Sequence, residues 1–439
     1  MKKVQIDENG KIITLNSKAL TIDVGGVTPT GTLSVTENGT YDVTNYASAE
    51  VNVSGGGSTT GYLVQVIDYD GTVLKSERLG TGDTFTLPTA PTRTGLVFQS
   101  WSSPVTITNN TVTVTNHDII IGATYTTASG LNEIDVTVNS LTGLEVTLNM
   151  SGTKDWGDGT TDTNTSHTYS TAGDYTITCD GHIIEGEYTT LFGQYNDGDE
   201  NMYVTGVRLA LEQTFSNIAL SWCYNLTSIT LSNTLTSMGR FYDCESLYAV
   251  VVPNTVTSIG DSTFERCYSL YSVVLPNTIT SIGDYTFRMN KSLRSITIPE
   301  GVTSIGDYAF YECRALESIN LPSTLTSIGE SAFAENTSLR YVTLADGFEG
   351  LSSSNDSFNN NIYRSIVFPS SYTTECNLFN NNFQLVELDY SNLTAIPTAT
   401  TSLYCTNYLC KVYVPANLYD SWKAASEWSE IADYIYVKE

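Results

Sequence analysis

The sequence is short of positive charge. Its 439 residues hold 20 Lys and Arg against 47 Asp and Glu, a formal net charge of −27. That balance excludes a nucleic-acid partner, because phosphate contacts need a basic surface. Histidine is scarcer still, with three residues, His117, His167 and His182. None forms an i, i+4 metal pair, and no Gly-rich phosphate loop follows a strand before a helix. Of the eight Cys, Cys179, Cys376, Cys405 and Cys410 lack the spacing of a metal site. Long apolar runs are missing too, so no membrane-spanning segment is expected. These absences predict no catalytic residue, no cofactor and no metal. A carboxylate pair of the glycosidase kind needs only proximity in space, so a glycan-degrading enzyme stays open as a third reading.

What is present is repetition. "TSIG" starts at Thr257, Thr280, Thr303 and Thr326, each 23 residues after the last. Phe264, Phe287, Phe310 and Phe333 keep the same step. So do Cys244, Cys267, Asn290, Cys313 and Asn336, and then Leu247, Leu270, Leu293, Leu316 and Leu339. A β-branched run ending in Pro closes most turns, as in "SVVLP" and "SITIP". A fixed period of this length predicts a solenoid, whose turns bury their apolar edges only by stacking. In such a stack the Cys/Asn position points inward, where Cys is a small buried hydrophobe and Asn satisfies backbone groups. Cys223 starts a similar turn.

These residues, from "CYNLTSITL" at Cys223 to Phe333, resemble the BspA-like leucine-rich repeat family. The likeness continues in degraded form ("NNIYRSIVFP", "NFQLVELDY", "NYLCKVYVP") to about Pro415. The end of the chain resembles the family's terminal cap, with Leu418, Trp422 and Ala425 at helical spacing. Three further resemblances precede the solenoid. "TGTLSVTENGTYDVTNYASAEVNV" is similar to a short β module of phage structural proteins, with Leu33 and Val35, then Tyr41 and Val43, flanking its turn. "YDGTVL", "PTAPTRTGLVFQSW" and "IGATY" resemble the Listeria–Bacteroides repeat, a β-grasp-like module. "WGDGTTDTNTSHTYSTAGDYTIT" resembles a PKD domain, an immunoglobulin-like β-sandwich.

The expected fold is therefore mainly β. Residues 1–53 form an N-terminal β region, the expected virion anchor, and 54–61 a Gly/Ser linker. Residues 62–128 form the β-grasp-like module and 132–190 the PKD-like sandwich, both expected to act as spacers. The solenoid spans 191–415 and a helical cap 416–439. "DYDG" at Asp68 reads as a hairpin turn, since the later ligands of a calcium loop are missing. His167, Asp158 and Asp174 read as turn-tying residues rather than a catalytic set. The acidic loop 196–201 ("NDGDEN") reads as solvated, with calcium as its alternative.

Within Leu-x-x-Val-x-Leu the third and fifth positions face out on the sheet. They are Ser228/Thr230, Ala249/Val251, Ser272/Val274, Ser295/Thr297, Ser318/Asn320 and Tyr341/Thr343. That face is small and uncharged. The edge beside it is more varied, with Tyr248, Tyr271, Arg294, Glu317 and Arg340. Adding Tyr341 and the tyrosines of the degraded repeats, Tyr363, Tyr404 and Tyr408, gives the candidate binding surface. Tyrosine is plentiful, 28 against 14 Phe, and its rings can stack on sugars.

The opening "MKKVQIDENGKIITL" has two lysines but no apolar run of a secretory signal. Surface-type modules without that run lead to the expectation of a phage virion protein, assembled in the host cytoplasm: a tail fibre, baseplate accessory or head fibre. Other virion proteins would bind its N-terminal region and a host glycan or protein its solenoid, with no membrane insertion; a homo-oligomer is compatible. A bacterial cell-surface adhesin is the alternative.

Overall fold

The computed structural model describes residues 20–23, 32–35, 48–51, 61–115, 117–138, 144–181, 189–190, 193–194, 204–208, 220–344, 365–368, 370, 374–375, 387–396, 398–399, 411–425, 428 and 432–437. The chain divides into two compact units, 1–61 and 62–439. In the first, Ser48–Val51 is the central strand, antiparallel to Leu20–Asp23 and parallel to Thr32–Val35. The strand Thr32–Val35 contains the expected Leu33 and Val35; Tyr41 and Val43 lie outside the described residues.

The second unit is mainly β, with one short α-helix among the described residues, Tyr419–Ala424. It opens with a four-stranded mixed sheet. Tyr62–Ile67 lies between Val73–Leu79 and Ile119–Thr127, and Leu96–Ser102 closes the outer side. We call residues 62–127 the β module. Val64, Val66, Ile119 and Ile121 alternate onto one face and bury with Phe85 and Val112. "DYDG" is a turn: Asp70 accepts from the Thr72 N–H at 2.9 Å, and buried Asp68 is ion-paired to Arg93 at 2.5 Å.

A two-sheet region follows. Asn132–Val138 pairs with Gly173–Cys179, and Leu144–Thr147 pairs with Ser166–Tyr169 in a second sheet. Trp156, Tyr169, Val146 and Ile177 fill the space between. The "WGDG" turn is held by side chains. Trp156 Nε1 donates to Asp162 (3.0 Å), Tyr169 donates to the Trp156 carbonyl (2.7 Å), and His167 pairs with Asp158 (2.8 Å). Burial would raise the Asp158 pKa, but hydrogen bonds from His167 and Thr160 outweigh it and hold the carboxyl below its ordinary range. Asp174 is engaged elsewhere, accepting from Thr137 at 2.8 Å.

The first sheet does not stop at this region. Asn132–Val138 also pairs antiparallel with Val204–Arg208, which pairs parallel with Ser228–Thr230, the first solenoid strand. Arg208 locks this seam, reaching Glu133 at 2.9 Å and Asp135 at 2.8 Å. One continuous hydrophobic core then runs from Ile134 to Ile435.

In the solenoid, Leu247, Val250 and Val252, and their equivalents in later turns, point inward and are buried. Phe241, Phe264, Phe287, Phe310 and Phe333 stack ring on ring at 5.0–5.5 Å. The Cys/Asn ladder is buried. Cys244, Cys267 and Cys313 are free thiols whose Sγ donates to carbonyls of the preceding turn at 3.0–3.2 Å, and burial raises the pKa of Cys267 and Cys313. Asn336 donates to the Phe333 carbonyl at 2.7 Å, whereas both amide atoms of buried Asn290 lack a partner.

Opposite the strands, each turn carries residues with positive φ, such as Tyr285 (57°) and Met289 (62°). Their N–H groups donate to the next turn at 2.8 and 2.7 Å. The left-handed conformation costs about 1–2 kcal/mol per residue, and these inter-turn hydrogen bonds offset it. The glycine of "TSIG" is explained by the same stacking. A Cβ on Gly283 would lie 2.7 Å from the Asp261 nitrogen, and one on Gly306 would lie 2.6 Å from that of Asp284. Pro ends the strands because it has no N–H to continue the ladder; its carbonyl accepts from three residues on, as at Pro276 from Ile279.

At the far end Trp422 and Trp428 are buried against Tyr390, with Leu418 and Ala425 packed on the same core. The helix stops at Ala424, so Ala425 lies just beyond it. The last strand, Ile435–Val437, pairs parallel with Lys411–Val414 and extends the sheet. No helix among the described residues is long and apolar enough to cross a membrane.

Candidate functional site

The edge residues form a single column. Each turn places one at the point where the chain enters its strand. Tyr248 and Tyr271 are exposed (44% and 40%) and stack 5.4 Å apart with ring planes 3° apart. Arg294 follows one turn later, its guanidinium 5.9 Å from the Tyr271 ring centroid. Exposed Glu317 and Arg340 continue the line, linked by backbone hydrogen bonds of 3.2 Å (Glu317 to Arg294) and 3.0 Å (Arg340 to Glu317). Tyr341 stands beside them, 49% exposed. The structure therefore brings Tyr248, Tyr271, Arg294, Glu317, Arg340 and Tyr341 together. Tyr363, Tyr404 and Tyr408 lie outside the described residues, as do Cys376, Cys405, Cys410 and the acidic loop 196–201.

This geometry corrects one expectation. The rings of Tyr248 and Tyr271 face each other, and Arg294 sits against the far side of Tyr271. The turn at Gly71 lies against Tyr248, where a Cβ would be 3.0 Å from the ring. The ring faces of Tyr248 and Tyr271 are thus taken up, and what these two leave exposed is edges and phenol hydroxyls, beside the charged heads of Arg294, Glu317 and Arg340. Such a surface donates and accepts hydrogen bonds rather than stacking on a sugar. Burial raises the Tyr248 pKa, with the Tyr271 phenol adding to it and Arg294 opposing. A second pair, Tyr285 and Tyr308, repeats the arrangement on the opposite side of the turns (5.3 Å, 1°).

The outward sheet face brings a larger correction. Residues 62–128 were expected to act as a spacer; instead the β module lies on that face. Ala249, Val251, Ser272, Val274 and Thr297 are buried, four of them at 6% exposure or less. Val251 and Val274 form an apolar cluster with Ile67 and Ile120. Polar contacts ring the cluster. Ser102 Oγ donates to the Val252 carbonyl (2.5 Å), Asn254 to the Trp101 carbonyl (2.9 Å) and the Asn277 N–H to the Ser103 carbonyl (2.7 Å). Asn233 meets Gln99 and Ser100, each at 3.0 Å, and Thr297 donates to the Asp118 carbonyl at 2.8 Å. At the limit of the footprint the Asn320 amide donates to His117 Nδ1 (3.1 Å). Burial lowers the His117 pKa, against the opposing pull of Glu300 and Asp118. A Cβ on Gly122 would lie 2.5 Å from Val251, so the glycine of "IGATY" is where the two surfaces close. Glycine within a strand often marks such an approach, and that was the signal in the sequence for a contact it does not otherwise announce.

Among the described residues no group of three or more His, Cys, Asp or Glu could hold a metal ion.

Comparison with known proteins bears on the solenoid. The family model described as BspA type Leucine rich repeat region matches in six copies, over residues 213–340 and 303–421. No curated protein matches the chain. Among solved structures, it is similar to a leucine rich repeat protein of T. pallidum (27% identity, 40% of this chain and 83% of that one, TM-score 0.34). It is also similar to a leucine-rich repeat protein from Bacteroides ovatus (24% identity, 51% and 69%, TM-score 0.26) and to a leucine rich cell surface protein from Faecalibacterium prausnitzii (20% identity, 40% and 76%, TM-score 0.17). The model that matches describes a repeat, not a catalytic family, and the 23-residue stack with its Phe and Cys/Asn ladders is the part of the chain, within residues 213–421, that is similar to it.

Proposed function

We propose that this chain is a non-enzymatic recognition protein that binds a cell-surface glycan or protein through the edge of its solenoid. The observation that carries this reading is the column Tyr248–Tyr271–Arg294–Glu317–Arg340, five consecutive turns with an aromatic or charged side chain exposed on a rigid ladder. Aromatic and Arg side chains are the residues that dominate recognition surfaces. We further propose that the protein is carried on a phage virion, with residues 1–53 as its anchor. Their likeness to a phage structural β module and the Gly/Ser composition of 54–61 support that placement. Repeated copies on one particle would turn weak single contacts into strong attachment.

A bacterial cell-surface adhesin uses the same edge and differs only in presentation. The BspA-type repeat model favours it. The test separates binding from carriage. Residues 62–439, one compact unit, fused to a fluorescent reporter should label host cells, and residues 1–61 should bind particles that lack the protein. Labelling by 1–61 instead would reverse the orientation. Detection in the cell envelope, with none in purified particles, would favour the adhesin.

A further inference from the structure

One joint in the middle of the solenoid is made differently from the others. On the strand side, Ser272–Val274 pairs with Ala249–Val251, and Ser318–Leu321 pairs with Tyr341–Leu344. The turn between them belongs to neither ladder. A single backbone hydrogen bond, from the Glu317 N–H to the Arg294 carbonyl at 3.2 Å, joins residues 294–298 to 317–321. None joins 294–298 to 271–275. The Tyr271 N–H donates to the Tyr248 carbonyl at 2.9 Å, and the Tyr248 N–H to that of Thr227 at 3.3 Å, but the Arg294 N–H makes no such bond to Tyr271. Among the described strand-side joints of the solenoid, this is the one left without a backbone hydrogen bond.

Two side-chain clamps fail at the same joint. Thr255, Thr278 and Thr324 each donate a hydroxyl to a carbonyl one turn back, Thr278 to Val256 at 2.5 Å and Thr324 to Val302 at 2.8 Å. Gly301 holds the equivalent position and has no hydroxyl to give. Cys267 and Cys313 donate to the carbonyls of Phe241 and Phe287, again one turn back. Asn290, between them on the ladder, is fully buried with neither amide atom partnered. The opposite side of the joint is intact. The Thr280 and Gly283 N–H groups donate to Thr257 and Ile259 at 2.9 Å, the Phe264 N–H donates to Thr286 at 2.8 Å, and the Phe264 and Phe287 rings stack at 5.5 Å. The β module straddles the weak side. Before the joint it holds the Val252 carbonyl through Ser102, the Asn277 N–H through the Ser103 carbonyl, and Val251 and Val274 through Ile67 and Ile120. Beyond it, Thr297 donates to the Asp118 carbonyl and Asn320 to His117.

We infer that the solenoid carries a hinge between the turn of Phe264 and the turn of Phe287, and that the β module is the splint that holds it closed. The intact side, with its backbone bonds and stacked rings, is the leaf about which the turns swing. The strand side, which lacks backbone bonds, the Thr clamp and the amide bond, is where they part. Local opening is cheapest where fewest bonds must break, and a hinge concentrates movement at a few such residues. The β module opposes this movement because it grips both sides of the gap. The hinge also divides the edge column at one point. Tyr248 and Tyr271 lie on one side of it, Arg294, Glu317 and Arg340 on the other, and the contact of Arg294 with the Tyr271 ring crosses it. Release of the splint therefore parts the aromatic half of the column from the charged half. The hinge itself does not depend on what the column binds.

Hydrogen exchange of the full-length protein, read by mass spectrometry, tests both parts. Residues 291–302 should exchange roughly tenfold faster than the equivalent residues 314–325 one turn on, the factor that about one net hydrogen bond supplies. Two repairs should slow the first set and leave the second unchanged. Gly301→Thr restores the hydroxyl clamp, although a Cβ there meets the Ile279 carbonyl at 3.1 Å. Asn290→Cys restores the thiol donor without that contact. Thr297→Val removes a grip of the β module beyond the joint and should quicken exchange in 291–302 alone. Equal exchange of the two sets in the wild type, or exchange in 291–302 that neither repair slows, would overturn the hinge. Exchange in 291–302 that Thr297→Val leaves unchanged would overturn the splint.

Discussion

The solenoid is closed differently at its two ends. At the N-terminal end its first strand continues a sheet already formed, through Val204–Arg208 into Asn132–Val138. Backbone hydrogen bonds and the Arg208 ion pairs close that edge. At the C-terminal end the closure is apolar: Trp422 and Trp428 cover the core, and Ile435–Val437 adds a final strand. The first end is held by directional bonds to a folded neighbour. The second depends on burial by a short segment that has no core of its own. The lesson is that a stack of similar turns needs two dissimilar closures, and the weaker one governs the solubility of the whole.

The largest effect that could break this comparison is removal of the weaker closure. Deletion from Val414 onward should make the protein aggregate while leaving residues 62–180 folded, as limited proteolysis and light scattering would show. A truncated protein as soluble as the whole would mean the cap is dispensable. Next in size is the middle of the stack. Phe310→Ala opens a cavity between Phe287 and Phe333 and should cost about 3–5 kcal/mol by denaturant unfolding; a cost no greater than a surface Ser→Ala would place Phe310 outside the core. At the N-terminal end, Arg208→Ala leaves the half-buried Glu133 and Asp135 without their partner. About 1–3 kcal/mol should be lost, and a null result would show that the backbone ladder alone closes that edge.

The smallest effect concerns the brace between the ends. Because His117 is held neutral, with its folded pKa below the ordinary value of about 6.5, the unfolded chain takes up its proton first as pH falls. The stability from burying this neutral ring is therefore present above the ordinary pKa and is lost as pH drops from about 6.5 toward the folded value. Melting curves between pH 7.5 and 5 should show a steeper loss for the wild type than for His117→Asn. Parallel curves would mean that His117 is not coupled to stability.

The solenoid was legible because a period is a local, repeated signal: the Leu, Phe and Cys/Asn ladders could be read from spacing and lie where spacing put them. The cap was half legible. Leu418, Trp422 and Ala425 fall at helical spacing and Trp428 continues it, but the helix stops at Ala424, so Ala425 and Trp428 reach the core from beyond the helix. The candidate column was legible as positions, not as geometry. Its tyrosines recur at the repeat interval, but only coordinates show that their faces are spent on one another. The docking of the β module was the least legible feature. It joins residues far apart in sequence through small side chains such as Ala249 and Ser272, which read simply as an unremarkable outward face. Gly122 was the one local clue.

One detail of the stack bears on how such a protein changes length. The Asp261 carboxylate accepts from the Asp284 N–H at 2.9 Å, Asp284 from Asp307 at 2.8 Å, and Asp307 from Glu330 at 2.7 Å. In the interior of this ladder one residue therefore carries both halves of the joint, a donor toward one neighbour and an acceptor toward the other. A 23-residue unit cut out or copied within the ladder brings its own matching halves. The gene can thus lengthen or shorten the solenoid by unequal recombination without inventing a new interface. Glu330 is the last rung among the described residues, and its carboxylate meets the Tyr308 hydroxyl at 3.3 Å. Length variation among relatives of this chain should therefore fall between Asp261 and Asp307, leaving both closures as they are.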